Sequence, residues 1–468
     1  MKTVLLIGGI AGLATAMAGC QSPRAVLNAT LVIKHAQIVD VATGRVQPDM
    51  TVVVDGDRIV AVGEDSATTI PSGAPAIDAA GRFLIPGLRD MHVHVFMGET
   101  ADLGLEVTLP LLVANGVTGI RDMGSDLDSI LQVREDIAAH RLTGPRMVVA
   151  GPMLDGPQTI YKGAIPIATA DAGRRTVAML KDRGVDFIKV QSKVPRDAYF
   201  AIADECKRLG LPLAGHVPDS IRAVEAVAAQ QSSFEHLIGV FEGSSNAEEA
   251  VLSGPKGPGR FLSTYDERRE QDLTGQISKR RVWQTPTLFW ERGQWLVDTI
   301  DPTFDPDVVY APVTWRKLWP DWTAFILKEW ATDPVSIREA FVQHELQLVK
   351  RLRRAGVPFL AGTDAPTGVG LLPGFSLHHE LARFVSGGFT PLEALQTATI
   401  GPAQFLGKER DLGTVATGKL ADLLLLDADP TKDINNTRKI QAVVLAGRYL
   451  SRGDLDEILR KVKALTSP

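Results

Sequence analysis

Two histidines two residues apart, His92 and His94, close the run Pro86-Gly87-Leu88-Arg89-Asp90-Met91-His92-Val93-His94. On an extended chain side chains repeat direction every second residue, so both imidazoles face the same way. Neutral imidazole is the commonest metal ligand, and one strand would thus offer two nitrogens to one ion. A pair of polar residues on a solvated strand face is the alternative. The apolar flanks Leu88, Met91, Val93, Val95 and Phe96 fit a buried parallel strand better.

Four more residues of metal-binding type stand in or at the ends of apolar runs. They are Lys189 in Asp186-Phe187-Ile188-Lys189-Val190, His216 after Ala214-Gly215, His236 after Phe234-Glu235, and Asp364 after Gly362-Thr363. A lysine among Phe187, Ile188 and Val190 is costly to bury as a cation. It could snorkel or pair with Asp186. It could also react with CO₂, which turns the ammonium into an anionic ligand with two oxygens. Alone, His216 or His236 would read as a core histidine, and Asp364 as a helix N-cap before Pro366. Together, all at strand ends, they are hard to explain as packing.

The elements that must position these residues alternate. Apolar strands at 116–121, 146–150, 185–190, 211–216, 233–236, 282–288 and 358–362 are separated by helical runs such as 126–139, 171–183 and 196–209. Such alternation argues a parallel sheet with right-handed crossovers. With the His92 strand the count reaches eight, the number of a (β/α)8 TIM barrel, whose chemistry sits at the carboxyl ends of its strands. The α/β barrel is expected over 86–411. Thr390-Pro391-Leu392-Glu393 is a capping box with proline at N1, opening a further helix. Short strands and turns at 28–85, with the hairpin signal Asp55-Gly56-Asp57, and again at 412–455, suggest one composite β-sandwich built from both ends of the chain.

Between His236 and Asp364 the chain is longer than one strand-helix unit needs, which places an insertion at about 240–335. The stretch Gly254-Pro255-Lys256-Gly257-Pro258-Gly259 marks a loop near its start. All seven tryptophans fall between Trp283 and Trp330. They could build a separate minicore, or wall a pocket as a lid favouring a bulky apolar or aromatic group.

The charge balance, 50 basic against 55 acidic residues, has no basic block and gives no sign of nucleic acid. Lys2, the apolar run from Val4 to Gly19 and Met17-Ala18-Gly19-Cys20 resemble a bacterial lipoprotein signal over 1–19. That predicts export to the periplasm, with a lipid anchor at Cys20 as the sole membrane contact. Cys206 is the only other cysteine, so no internal disulfide is expected and packing must carry stability. His35, His378 and His379 read as structural, and His140 and His344 as surface helix residues.

Across nearly everything after the signal, this pattern resembles the amidohydrolase superfamily, in the branch of imidazolonepropionase-like hydrolases and prolidase-type (Xaa-Pro dipeptidase-like) enzymes. The matching residues are Pro86-Gly87-Leu88, His92-Val93-His94, Lys189, His216, His236, Gly362-Thr363-Asp364-Ala365 and the returning segment Gly413-Thr414-Val415 with Gly418-Lys419-Leu420-Ala421-Asp422-Leu423. The resemblance implies two divalent metal ions, zinc being the expected one. His92, His94 and Asp364 would hold the deeper ion and His216 and His236 the outer one, with N6-carboxylated Lys189 as the bridge. It further implies attack by a hydroxide between the ions, Asp364 as proton shuttle, and cleavage of an amide bond in a dipeptide-like or N-acyl amino acid substrate. A lactone or ester substrate, or an inactive binding lipoprotein, are the alternatives, and self-association into a homo-oligomer is left open. Two departures stand out: no histidine follows the third strand, and no tyrosine closely follows His216. Tyr161 could supply a phenol to catalysis instead.

Overall fold

The computed structural model of the protein describes residues 29–465. The expected signal segment 1–19 and Cys20 lie outside the described residues.

Strand pairing joins the two ends of the chain. Strands run in the order Arg448–Ser451, Ile440–Leu445, Leu423–Leu426, Phe83–Pro86, Leu31–Val39, Val46–Asp55 and Arg58–Glu64, with Ala76–Asp78 beside Leu31–Val39. The seam is antiparallel, Leu424 opposite Ile85 and Leu425 opposite Leu84. Four consecutive leucines serve two cores here because strand side chains alternate faces. Leu423 and Leu425 pack with Ile33, Val52 and Val54 of the terminal module, while Leu424 and Leu426 pack into the large central core. The module is thus one mixed sheet made from both chain ends, resembling a sandwich domain and packed by its inner face against the rest of the protein.

The central region is parallel. Leu88–Val93, Val117–Asp122 and Arg146–Val149 form one sheet, and Leu154–Asp155, Ile188–Val190, Leu213–Gly215, Ser233–Glu235 and Trp283–Thr285 follow one another in a second, which Ile165–Pro166 extends. Helices Leu127–Ala138, Ala170–Arg183, Arg196–Leu209 and Val335–Arg354 connect the strands. The arrangement resembles the core of a TIM barrel. The strands are short and buried end to end, as in Ile188–Val190, which is why they read as apolar runs.

The strand expected at 358–362 is replaced by an irregular segment. Its carbonyl at Pro358 accepts from Gln284 N–H at 3.0 Å and Leu360 N–H donates back to Gln284 at 2.9 Å, but Ala361 N–H turns to Thr397 O at 3.0 Å. On the other side Met91 N–H reaches Ala361 O at 2.9 Å and Asp364 N–H reaches His92 O at 2.7 Å. A proline without N–H and one diverted amide leave bridges where a full ladder was expected.

The tryptophans divide their work. Trp315 and Trp319, on helix Val313–Glu329, pack with Val107, Leu111, Leu372 and Phe375 in a satellite core. Trp283, the first residue of strand Trp283–Thr285, packs with Met91 and Leu360. Trp290, Trp295, Trp322 and Trp330 line the large central cavity. Packed core and pocket wall are therefore both built from tryptophans of the stretch 283–330.

Candidate metal centre

Six side chains singled out above meet at the strand ends. His92 closes Leu88–Val93 with His94 just beyond it, Lys189 is central in Ile188–Val190, His216 follows Leu213–Gly215, and His236 follows Ser233–Glu235. Ring centroids of His92 and His236 are 4.8 Å apart, His216 and His236 5.1 Å, and His92 and His94 5.5 Å. Asp364 Oδ1 lies 3.0 Å from His94 Nε2 and 3.3 Å from His92 Nε2. Ligand atoms of His92, His236 and Asp364 all fall within 4.8 Å of one another.

Each ring is held from behind, and the pure acceptors behind His92 and His94 fix their tautomers. Nδ1 of His92 bonds Glu235 Oε2 at 2.9 Å, and Nδ1 of His94 bonds Gly124 O at 2.8 Å. Nδ1 of His216 meets Ser192 Oγ, and Nδ1 of His236 meets Thr287 Oγ1, both at 2.7 Å. With Nδ1 engaged in all four, each imidazole keeps Nε2 for the cavity. Such outer partners fix ring orientation at metal sites. Burial pushes His236 down to about 3 and His216 well below the ordinary histidine range, so both are neutral, the form that binds a metal.

Lys189 completes the set. Its Nζ is buried without a hydrogen-bond partner, while Asp186, its hypothetical mate, instead pairs with Arg134 at 2.9 Å. Burial lowers the amine to about 8. Burial thus enlarges the share of free amine, the form that can react with CO₂, over that of an exposed lysine. A donor set of four oriented imidazoles, a carboxylate and an orphaned buried amine fits a candidate site for two metals.

Sequence reasoning missed the support beneath it. Arg121 Nη2 bonds both oxygens of Glu235 at 2.9 Å, Nη1 reaches Ser233 Oγ at 2.9 Å and Nε reaches Met91 O at 2.6 Å. Burial alone would raise the Glu235 carboxyl, but Arg121 and His92 hold it well below the usual carboxylate range. Charged residues inside apolar strand runs were the available signal, the same one that marked Lys189. Glu235→Gln would leave Arg121 uncompensated in the interior. It is expected to lower stability by about 3 kcal/mol and metal affinity by roughly 10- to 100-fold. Denaturant melting and metal titration check the two effects separately.

The remaining histidines do not join. His378 bonds Thr437 Oγ1 at 2.9 Å and Asn115 O at 3.2 Å, a buried structural role. His379 lies near Asp305 and Asp307, but Asp307 is already paired with Arg438 at 2.6 Å, and these residues lie outside the central cavity. His35 pairs with Asp49 at 2.8 Å, and His140 is exposed. His344 departs from the surface position expected of it: it is half-buried with its ring 4.6 Å from Tyr265, because its helix packs that face inward. Tyr161 does line the cavity, half-buried, with burial raising its phenol. Trp290 stands over the centre, its ring 4.8 Å from His236 and its Nε1 held by Thr367 O at 3.0 Å. The cavity, about 740 Å³, is lined in part by the rings of Trp290, Trp295, Trp322 and Trp330.

Comparison with known proteins agrees with this geometry. The chain is 25% identical over 448 residues to adenine deaminase of Rubrobacter xylanophilus, covering 92% of this chain but 58% of that protein. It thus spans less than two thirds of the length of the curated relatives it matches. A prolidase candidate from Bifidobacterium longum superposes with a TM-score of 0.67 at 25% identity, covering 92% of this chain and 98% of that one. The bottromycin amidohydrolase superposes with a TM-score of 0.71 at 22% identity, over 93% and 90%, a likeness of fold. Residues 83–252 and 325–450 match the profile of the amidohydrolase family, and six of the seven tryptophans lie between these segments. All six converging residues lie inside the matched segments: the chain belongs to the amidohydrolase family.

Proposed function

We propose that this protein hydrolyses an amide bond of a small substrate, a dipeptide or N-acyl amino acid, at a centre of two zinc ions. His92, His94, His216, His236, Asp364 and N6-carboxylated Lys189 would hold the ions. The observation that carries the reading is the convergence of four imidazoles, each with Nδ1 engaged, on Asp364 and the unpartnered Lys189. When bound, such ions supply a water acidic enough to act as nucleophile near neutral pH and polarise the scissile carbonyl.

The chain's own groups do the rest. Asp364 accepts the proton of the attacking water at Oδ and returns it to the departing amine. Glu235, held by Arg121, keeps His92 in one tautomer. Trp290 and its aromatic neighbours exclude water from one side of the cavity, and Tyr161 offers a phenol on its lining. We read the two parallel sheets with residues 357–365 as one eight-position barrel, Arg146–Val149 and Leu154–Asp155 sharing the third position and Ile165–Pro166 lying outside it, which would deliver all ligands to a single face.

The relatives divide the choice of bond. Cover of 98% of the prolidase candidate supports an amide bond as the one cleaved. Metal-loaded protein should be screened against dipeptides, N-acyl amino acids, lactones and adenine. Turnover confined to the first two classes is expected; turnover confined to adenine or lactones would overturn the assignment.

The divided tryptophans predict divided effects. Trp315→Ala is expected to cost about 3–5 kcal/mol of stability by emptying the satellite core. Trp330→Ala should mainly change KM and the preference among bulky apolar substrates, because aromatic walls fix a ligand by contact area. Loss of stability alone in every such variant would leave the insertion as a minicore only.

For location, the lipoprotein-like segment supports a periplasmic protein anchored through lipidated Cys20. Cys20→Ser is expected to move the protein from the membrane fraction to the soluble one; an unchanged fractionation would remove the anchor.

A further inference from the structure

One buried acidic side chain in the cavity has no cationic partner among the described residues. Glu291 belongs to helix Leu288–Trp295, is only 5% exposed and lines the cavity beside Trp290. Its Oε2 accepts from Trp295 Nε1 at 2.7 Å. Among the described residues no other donor bonds this carboxylate, and no lysine or arginine pairs with it. The cavity's Lys256 is already held by Asp219 at 2.7 Å and Glu242 at 2.8 Å. Behind Glu291 stands Glu345, with both carboxylate oxygens buried and unpartnered. Burial first, then Glu345, Asp364 and Glu242, push Glu291 well above the usual carboxylate range, the direction expected where positive charge is missing. Without a partner such a group keeps its proton, and a cation seated against it would restore the carboxylate.

Its surroundings suit an organic cation. The Trp290 and Trp330 ring centroids are 6.5 Å apart, and Trp295 packs edge-on against Phe341 at 5.5 Å. Aromatic faces attract ammonium and guanidinium groups, more strongly where water is excluded.

We infer that the substrate carries a protonated amine or guanidinium on an apolar stem, seated against Glu291 among Trp290, Trp295 and Trp330. The inference rests on the hydrolase reading for the word substrate, but the cation seat itself does not. It also narrows what the aromatic wall selects: an apolar body that ends in positive charge.

Matched dipeptides with lysine or norleucine on either side of the amide test it. Norleucine keeps the stem and removes the charge. Lysine should be preferred in kcat/KM by about tenfold or more on one side, as expected for a desolvated charge-assisted contact. Glu291→Gln, which keeps shape and can still accept from Trp295, should lower that preference by at least about tenfold, and Glu291→Asp should retain part of it. Calorimetric titration of the metal-loaded protein with n-butylguanidinium and with n-pentanol reads the seat without turnover. The guanidinium should bind more tightly than the alcohol to the wild type and lose about tenfold or more in Glu291→Gln, whose fold is checked by thermal melting. Equal binding of the two probes, or undiminished guanidinium binding by Glu291→Gln, overturns the inference. Guanidinium binding that depends on Glu291, in a protein that cleaves no dipeptide or N-acyl amino acid, would keep the seat and overturn the hydrolase reading instead.

Discussion

Lys189→Ala is expected to lower turnover by about a thousandfold or more, because ligand loss at a Lewis-acid centre forfeits several kcal/mol of charge stabilisation at 1.36 kcal/mol per tenfold. The bound metal should fall from about two ions per chain to one or fewer. Lys189 Nζ has no protein partner and lies in the interior, so a purely structural lysine there would be a net cost. Lys189→Met, which preserves apolar packing, should then be as inactive as the alanine variant while folding at least as stably. A short carboxylic acid such as propionate should restore part of the activity to Lys189→Ala by placing a carboxylate in the vacated space. Wild-type protein prepared with ¹³C-bicarbonate should show a carbamate carbon resonance that the variants lack. Full activity in Lys189→Ala, or its failure to change metal content, would leave no role for a modified lysine.

Most of the residues that converge on the candidate centre were legible because strand periodicity and polarity speak together at His92-Val93-His94 and at Lys189. Polar residues inside apolar runs are expensive, and their cost marks them. The same signal stood at Arg121 and Glu235, where it was obscured by the adjacent His236. Period two would send residues 235 and 236 to opposite faces. In the structure His236 has φ of 59°, and so has Asp364. A left-handed residue at the end of a strand turns the next side chain back toward the same cavity, which lets Glu235 support His92 while His236 faces the centre. Non-glycine residues in that region are uncommon and cluster at functional sites. Tertiary context alone decides such a φ, so sequence spacing could not announce it. The irregular course at 358–362 has a related cause: its amides are claimed from two directions, by Gln284 and by Thr397. The role of each tryptophan was equally hidden, because Trp315 and Trp330 differ in what they face, which depends on how the insertion folds back.

Asp364→Asn is expected to reduce amide turnover by about four orders of magnitude, combining loss of a proton acceptor with a weakened ligand. The carboxylate is well suited to accept. Burial alone would raise it, yet His92 and His94 beside it hold it well below the usual carboxylate range, so it is ionised at neutral pH. It is also the carboxylate that lies against both imidazoles of the first strand, 3.3 Å from His92 Nε2 and 3.0 Å from His94 Nε2. An amine leaves an amide only once its nitrogen is protonated, so the group that takes the proton of water must give it back. An activated ester, whose leaving group departs as an anion, needs only the first half of that cycle. The amide side chain of the Asp364→Asn variant can perform neither proton transfer, but a base in solution can replace the acceptor more readily than anything can replace the positioned donor. Turnover of p-nitrophenyl esters should therefore fall less than turnover of the matching anilides, by about tenfold or more in the ratio. Metal content measured on the same samples separates the two roles of Asp364. Equal losses on esters and anilides, with both ions retained, would make Asp364 a ligand alone and require the leaving amine to receive its proton from another group lining the cavity, of which the Tyr161 phenol is the one to substitute next.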